Sequence, residues 1–278
     1  IFVEVATDMD LEATLRVIAL TDSVAAAEIS GVTDICPAHV SYMLRVDPGI
    51  RDPRDLLPIL AKIHKQKAKD SKLKIESRII EMPILYQDPW SHEVLMRFRD
   101  RHQDPTLTDL DYCSRINGFS SAPEFIHAHS SRLHIATFVG FMPGNAECYQ
   151  LVPSEMQLQA PKYVRPRTDT PDRALGFGGA FSTIYPVQGA GGFQLLGRCA
   201  APVYETKKPF GPFEHSTVLP KGGDIFQYRS IEMAEYEDIR SRVKAGTYQY
   251  RIGTLEFDLS QFREDPTGYP LTLAEALP

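Results

Sequence analysis

The chain is poor in paired cysteines, in long apolar runs and in basic excess, and each shortage removes a class of function. Its 278 residues carry 30 Lys and Arg against 36 Asp and Glu, a formal net charge of −6. A general nucleic-acid binder presents a basic stripe and a high pI; the pI here is near 5.8, so no nucleic-acid partner is expected. No apolar stretch approaches the roughly 20 residues that span a bilayer, and the start lacks a basic segment followed by an apolar core. No membrane partner and a cytoplasmic location are therefore expected. Cys36, Cys113, Cys148 and Cys199 stand far apart without a Cys-x-x-Cys pair, which argues against a zinc ribbon or a disulfide framework and predicts reduced, mostly buried thiols. There is no Gly-x-x-x-x-Gly-Lys-Ser/Thr, no Gly-x-Gly-x-x-Gly opening a helix, no His-Glu-x-x-His and no Gly-x-Ser-x-Gly. Phosphate loops, zinc proteases and serine elbows are thus poor first readings.

What is present falls into an α/β part and a turn-rich β part. Residues 1–86 read as a small α/β domain. A strand at Phe2 to Val5 leads to a helix capped by Asp8 or Asp10 with Leu11, Leu15 and Ile18 on one face. Strands follow at Val32 to Cys36 and Val40 to Val46, then a helix around Arg54 to Gln66 and a strand near Ile75 to Leu85. This β-α-β-β-α-β order is the split pattern of ferredoxin-like units. The strand-like start at Phe2 also suggests that residues precede Ile1. The lysine-rich run from Lys62 to Lys74 reads as a solvated helix end, because no aromatic residues interleave with its charges. Residues 87–130 read as a helical connector, with patterns at Val94-Leu95-Phe98, at Leu107 to Ile116 stopped by Asn117-Gly118, and in a short helix opened by Pro123. Residues 131–278 begin with a strand at Leu133 to Phe141. Glycine and proline pairs punctuate short apolar runs throughout, which predicts an antiparallel barrel or sandwich. A helix near Ile231 to Lys244 and a hairpin turning at Gly253 between Gly246–Ile252 and Thr254–Leu259 are expected to close the chain. Lys221-Gly-Gly-Asp224 reads as a hairpin turn. The fold class expected is thus α+β.

The most informative segment runs from Gly176 to Arg198. Glycine pairs at Gly178-Gly179 and Gly191-Gly192 flank the strand-like Phe181, Ile184, Tyr185 and Val187. Such pairs either turn barrel corners or let a ligand approach bare peptide groups. Arg165, Arg167 and Arg198 stand around the segment; guanidinium forks match carboxylates, so these residues either line a carboxylate-binding cavity or tie barrel loops together by salt bridges. Tyr185 and Gln194 offer directional hydrogen bonds to an amide-like substrate, although Tyr185 equally reads as a core ring. His127, His129 and His134 are close in sequence, but i and i+2 in a helix do not face each other, so no metal is assigned. Cys148 reads as a buried thiol unless a base partner stands beside it.

Gly-Phe-Gly-Gly-Ala-Phe-Ser-Thr-Ile-Tyr at 176–185 and Gly-Ala-Gly-Gly-Phe-Gln-Leu-Leu-Gly-Arg at 189–198 resemble the signature of the carboxyltransferase subunit 1 family, also called allophanate hydrolase subunit 1. Phe2-Val-Glu4, Gly31-Val-Thr-Asp34 with Pro37, Asp88-Pro89, Arg115-Ile-Asn-Gly118, Gly140-Phe-Met-Pro-Gly144 and Gly223-Asp224 match in the same order. The family includes KipI and the B component of bacterial 5-oxoprolinase, and the chain looks especially like the carboxyltransferase domain of urea carboxylase. The resemblance implies a C-terminal cyclophilin-like antiparallel β-barrel and a homologous subunit 2 barrel protein as partner. It implies a multi-subunit enzyme, inactive as this chain alone, that acts on a small urea-like or amide substrate with carboxybiotin supplied by a partner. The chain has no Met-Lys-Met motif and no ATP machinery, so it binds no cofactor alone. Two alternatives follow from the same family: a 5-oxoprolinase component with ATP on a partner subunit, and a KipI-like inhibitor of a histidine kinase without catalysis. The Gly140–Gly144 segment leans toward the oxoprolinase branch, whereas Asp88-Pro89, Arg115–Gly118 and the tail after Asp224 lean toward urea carboxylase. Asn145-Ala-Glu-Cys148 departs from the aromatic-rich loop usual at that place. The expected site comprises Arg198, Tyr185 and Gln194 as catalytic groups, with Gly178, Gly179, Gly191, Gly192, Arg165 and Arg167 binding substrate.

Overall fold

A computed structural model describes residues 1–67, 73–207 and 210–278; Lys69 and Lys72 of the lysine-rich run lie outside the described residues. The chain divides into two compact units, one of residues 1–77 with 255–265 and one of residues 78–254 with 266–278.

In the first unit, β1 (Phe2–Glu4) is followed by α1 (Leu11–Ala26), β2 (Val32–Pro37), β3 (Ser41–Val46) and, after a 3-10 turn at Pro53–Leu56, α2 (Leu57–Lys67). Asp10 caps α1 by accepting from the Glu12 amide at 3.1 Å, which satisfies one of the orphan donors of the first turn. Alternation along β3 sends Tyr42 and Leu44 inward and Met43 and Arg45 outward, as a half-buried strand requires. The inward pair packs on Val17, Leu20 and Val24 of α1 and Leu60 and Ile63 of α2. The sheet is antiparallel with order β1-β3-β2. The β-α-β-β-α-β order is present, but its last strand, β4 (Lys74–Tyr86), hydrogen-bonds in a different sheet. The burial of β4 explains this. Every residue from Ile79 to Tyr86 is buried, so both faces of the strand need cover, which the edge of a small one-sided sheet does not give.

The second unit starts with three short helices, α3 (Pro89–Arg97), α4 (Asp109–Ile116) and α5 (Ala122–Ser130), each opened by a side-chain cap from Asp88, Thr108 or Ser121. The strands that follow are β5 (Leu133–Val139), β6 (Ala146–Gln150), β7 (Arg167–Thr170), β8 (Ala174–Gly178), β9 (Phe181–Ile184), β10 (Gly189–Gly191), β11 (Gln194–Cys199) and β12 (Ile225–Ser230). Seven strands close a barrel in the order β11-β8-β9-β6-β5-β12-β4, with β4 parallel to β12 and antiparallel to β11. Gly197 is required at the closure, where an added Cβ would stand 2.5 Å from the Leu85 carbonyl oxygen. Met82, Ile84, Cys148, Leu175, Phe177, Leu196 and Tyr228 share the interior core. Outside the barrel, β7 and β10 form a two-stranded antiparallel ribbon. α6 (Met233–Ala245) ends at Gly246 with φ 75°, and the Thr247 amide donates back to the Arg242 carbonyl at 2.9 Å, a Schellman closure.

Two expected turns take other forms. No hairpin turns at Gly253: Ile252–Asp258 is a single strand, β13. The glycine is there because a Cβ would lie 2.0 Å from the Ala276 carbonyl oxygen beside the terminal helix α8 (Tyr269–Ala274). Lys221-Gly-Gly-Asp224 is a turn, with Gly223 at φ 86°, but it feeds β12 from a loop and joins no strand pair. Between β13 and α8, α7 (Leu259–Glu264) belongs to the first unit. No described helix is long and apolar enough to cross a membrane.

Candidate functional site

The glycine-rich segment builds one side of a cavity of about 500 Å³. Gly178 and Phe181 pair across the two-residue turn at Gly179, whose φ is 60°, and this turn sets β9 against β8. Thr183 on β9 and Asn145 and Glu147 at β6 contribute from the barrel, and Lys162, Tyr163, Val164 and Pro166 with Ala190 to Phe193 contribute most of the rest of the lining. Phe193 comes close because Gly176 and Gly178 lack side chains; a Cβ at Gly178 would meet its ring carbons at 2.8 and 3.0 Å, and one at Gly176 would stand 3.0 Å from its Cβ and 2.8 Å from the Tyr185 ring. Tyr185 completes the lining.

Several polar groups of this wall are unsatisfied. Asn145 and Thr183 are each 2% exposed, and neither Asn145 Oδ1 nor Thr183 Oγ1 has a hydrogen-bond partner. An unpaired buried polar atom costs about 1–3 kcal/mol, so both are places where a bound polar ligand would recover energy. Burial raises the Tyr185 pKa, partly offset by Arg167 and by the Phe193 and Gly192 amides that approach its hydroxyl oxygen. With its oxygen facing amide donors, the Tyr185 hydroxyl has its proton to give elsewhere.

Behind the wall lies a buried charge network. Arg167 is fully buried; its guanidinium stacks 4.5 Å from the Tyr163 ring centroid and Nη2 donates to the Phe193 carbonyl at 2.7 Å, leaving Nε and Nη1 unpartnered. Asp109 accepts from the Tyr163 hydroxyl at 2.6 Å and from the Leu195 amide at 2.5 Å, with His102 Nε2 at 3.5 Å. Burial raises the Asp109 pKa, opposed by the Leu195 amide, Tyr163 and Arg167. Desolvation likewise raises Tyr163, beside the Asp109 carboxylate. A buried cation thus stands in contact with two residues of the cavity lining, Tyr163 and Phe193.

The expected residues scatter. Tyr185, Gly191 and Gly192 line the cavity, with Arg167 directly behind. Gly178 makes room for the lining, and Gly179 serves the hairpin. Arg198 is elsewhere: it donates to both the carboxylate and the backbone carbonyl of Asp172, and lies over the Trp90 ring at 4.9 Å, so the loop-tying alternative describes it. Arg165 pairs with Asp100 at 3.0 Å on an exposed surface. Gln194 is buried and satisfied by Pro161, Gln103 and His102. Asn145 and Thr183 escaped the sequence reading. The Ser182-Thr183 pair inside the strand-like run and the Asn145-Ala-Glu-Cys148 segment after Gly144 were the only signals in the sequence. His129 and His134 lie with ring centroids 5.0 Å apart and tilted by 40°, where burial lowers the pKa of each, and His127 is exposed on α5. Among the described residues no group of three or more His, Cys, Asp or Glu is placed to hold a metal. Cys148 is fully buried in β6, and burial pushes its thiol pKa up, the opposite of an activated nucleophile.

Residues 1–211 match the family model described as carboxyltransferase domain, subdomain C and D. The chain belongs to this carboxyltransferase family. Among relatives, the carboxyltransferase chain is 25% identical over 266 residues to urea amidolyase of Saccharomyces cerevisiae, across 92% of its own length and 14% of the relative's. It is 25% identical over 162 residues to the B component of 5-oxoprolinase from Bacillus subtilis, covering 58% of this chain and 57% of that one. The fold of Kluyveromyces lactis urea carboxylase is shared over 99% of this chain and 25% of that chain, with a TM-score of 0.81 at 20% identity. The carboxyltransferase chain therefore corresponds to a small part of the urea-processing proteins and to more than half of the oxoprolinase component.

Proposed function

We propose that this chain is one component of a heteromeric carboxyltransferase, with the glycine-lined cavity as its half of the substrate site. The observation that carries the reading is the pair of orphaned acceptor groups, Asn145 Oδ1 and Thr183 Oγ1, in a cavity backed by the Arg167 cation. A urea-like or amide substrate offers N–H donors to Asn145 Oδ1 and Thr183 Oγ1, and a carbonyl oxygen to the Tyr185 hydroxyl. The carboxyl group arrives on biotin carried by a partner, and a homologous subunit 2 barrel supplies the remaining wall. Within this chain the contribution is positioning and electrostatic: the fixed donors and Arg167 favour negative charge as it develops on the transferred carboxyl group, without reorganisation. Acting without its partners, the chain is inactive.

The assembly purified with its natural partners tests this. Biotin should be found on the complex, and Asn145→Ala and Thr183→Val should each lower kcat/KM for ATP-dependent carboxylation of a urea-like substrate about tenfold, as loss of one substrate hydrogen bond does, with subunit association intact. Unchanged kinetics in both variants removes the cavity from the reaction.

A second reading is supported by the likeness to the B component of 5-oxoprolinase and by Gly140-Phe-Met-Pro-Gly144, whose Phe141 lines the cavity. A biotin-free complex that opens 5-oxoproline with ATP would establish it in place of the first. A kinase partner without turnover would instead identify a KipI-like inhibitor.

A further inference from the structure

A second recess of about 130 Å³ lies where α3 and α4 begin, lined by Asp88, Ser91, Leu95, Asp109, Leu110 and Leu196 among others. Asp88 caps α3 through one oxygen only: Oδ1 accepts from the Trp90 amide at 3.1 Å and the Ser91 amide at 2.9 Å. Its Oδ2 has no hydrogen-bond partner, and neither has Ser91 Oγ, although Asp88 is 1% and Ser91 5% exposed. Asp109, 2% exposed, uses one lone pair on each oxygen for Tyr163 and Leu195 and keeps the others. Two carboxylates and a hydroxyl therefore face one recess with spare lone pairs, and Gln87, His92, Thr108 and four leucines complete its lining. Burial raises the pKa of both carboxyls, for Asp88 against the pull of the Ser91 and Trp90 groups and of Arg198.

We propose that this recess binds a small monovalent cation, held by Asp88 Oδ2 and Ser91 Oγ with Asp109 lining the same space. An anion would meet two carboxylates. Magnesium gives up its water reluctantly, whereas ammonium, potassium and guanidinium are weakly hydrated and tolerate the leucines that share this lining. Because Asp109 also accepts the Tyr163 hydroxyl, and Tyr163 lines the larger cavity, a cation that keeps Asp109 ionised also fixes Tyr163.

The test is the melting temperature of the whole chain at constant ionic strength in choline chloride, with ammonium, potassium or guanidinium chloride titrated to 50 mM or about ten times the observed midpoint, and urea as the neutral control. Binding predicts a saturable rise of about 3 °C for at least one cation, none for urea, and loss of the rise in Asp88→Asn. Asparagine caps a helix as well as aspartate does, so this variant folds; Ser91→Ala should raise the midpoint concentration severalfold. The three salts distinguish an inorganic from an organic ion. No saturable shift with any cation, an equal shift in Asp88→Asn, or a shift matched by urea overturns the proposal.

Discussion

At Gly191 an added Cβ would stand 2.6 Å from the Tyr185 hydroxyl oxygen, whereas at Gly192 it would meet nothing nearer than Pro166 at 3.6 Å. Adjacent glycines thus do different things, one seating the tyrosine and the other leaving room in the cavity. Gly191→Ala should cost about 1–3 kcal/mol through overpacking, seen as a lower urea midpoint. Gly192→Ala should keep stability within about 0.5 kcal/mol while raising KM in the assembled enzyme. Arg167 is the other decisive residue. Arg167→Met removes the buried cation that opposes the raised Asp109 pKa; a double-mutant cycle with Asp109→Asn, followed by chemical denaturation, should show a coupling of about 0.5–3 kcal/mol, and none would separate the two residues. Arg198→Ala, which loses Asp172 and the Trp90 face, should cost only about 1 kcal/mol. The residue types of the site were legible in the glycine block, but two of its three arginines face other partners, because the direction of a long side chain depends on which loop it meets.

Among the elements, the helices were the most legible. The Asp10 cap and the Asn117-Gly118 stop were read from the sequence; the caps at Asp88, Thr108 and Ser121 and the Gly246 stop were not, although the same local hydrogen bonding makes them. Gly246→Ala, which forces a Cβ into φ 75°, should lower stability by about 1 kcal/mol, detectable as a melting shift of a few degrees. Strands were legible as segments and less so as partners. The run Ile75 to Leu85 was visible as a strand, yet its place between β12 and β11 comes from contacts more than 100 residues away in sequence. Gly253 shows the limit well. A glycine flanked by apolar runs reads as a turn, but here it clears the Ala276 carbonyl in a continuous strand, and sequence holds no local trace of a chain segment that returns so late.

At the scale of the whole molecule the barrel interior predicts acid sensitivity. His134, fully buried with its ring centroid 4.8 Å from that of Tyr228, has its pKa lowered to about 3 by burial, with Arg132 acting in both directions; burial lowers His129 as well, aided by His134. Between the ordinary histidine value near 6.5 and pH 3 the unfolded chain binds more protons than the folded one, so stability falls as pH falls through that window. The His134 share is of the order of 4 kcal/mol. Neither ring nitrogen of His134 has a partner in hydrogen-bonding geometry, so His134→Phe should be near neutral at pH 7.5 and should flatten the loss of stability between pH 6.5 and 4, followed by urea unfolding at each pH. An equally steep loss in the variant would place the acid sensitivity elsewhere.

Composition set the expectation of no nucleic-acid or membrane partner, periodicity located most helices and several strands, and the glycine block marked the family and lies beside the cavity. These are properties of neighbours in the chain, where spacing alone fixes which backbone conformations and faces are available. Only the tertiary structure decided that β4 closes the barrel, that Arg167 rather than Arg198 stands behind the cavity, and that Asn145 and Thr183 are left without partners there. Those outcomes depend on which distant segments meet and on which polar atoms are still unpaired once they have met.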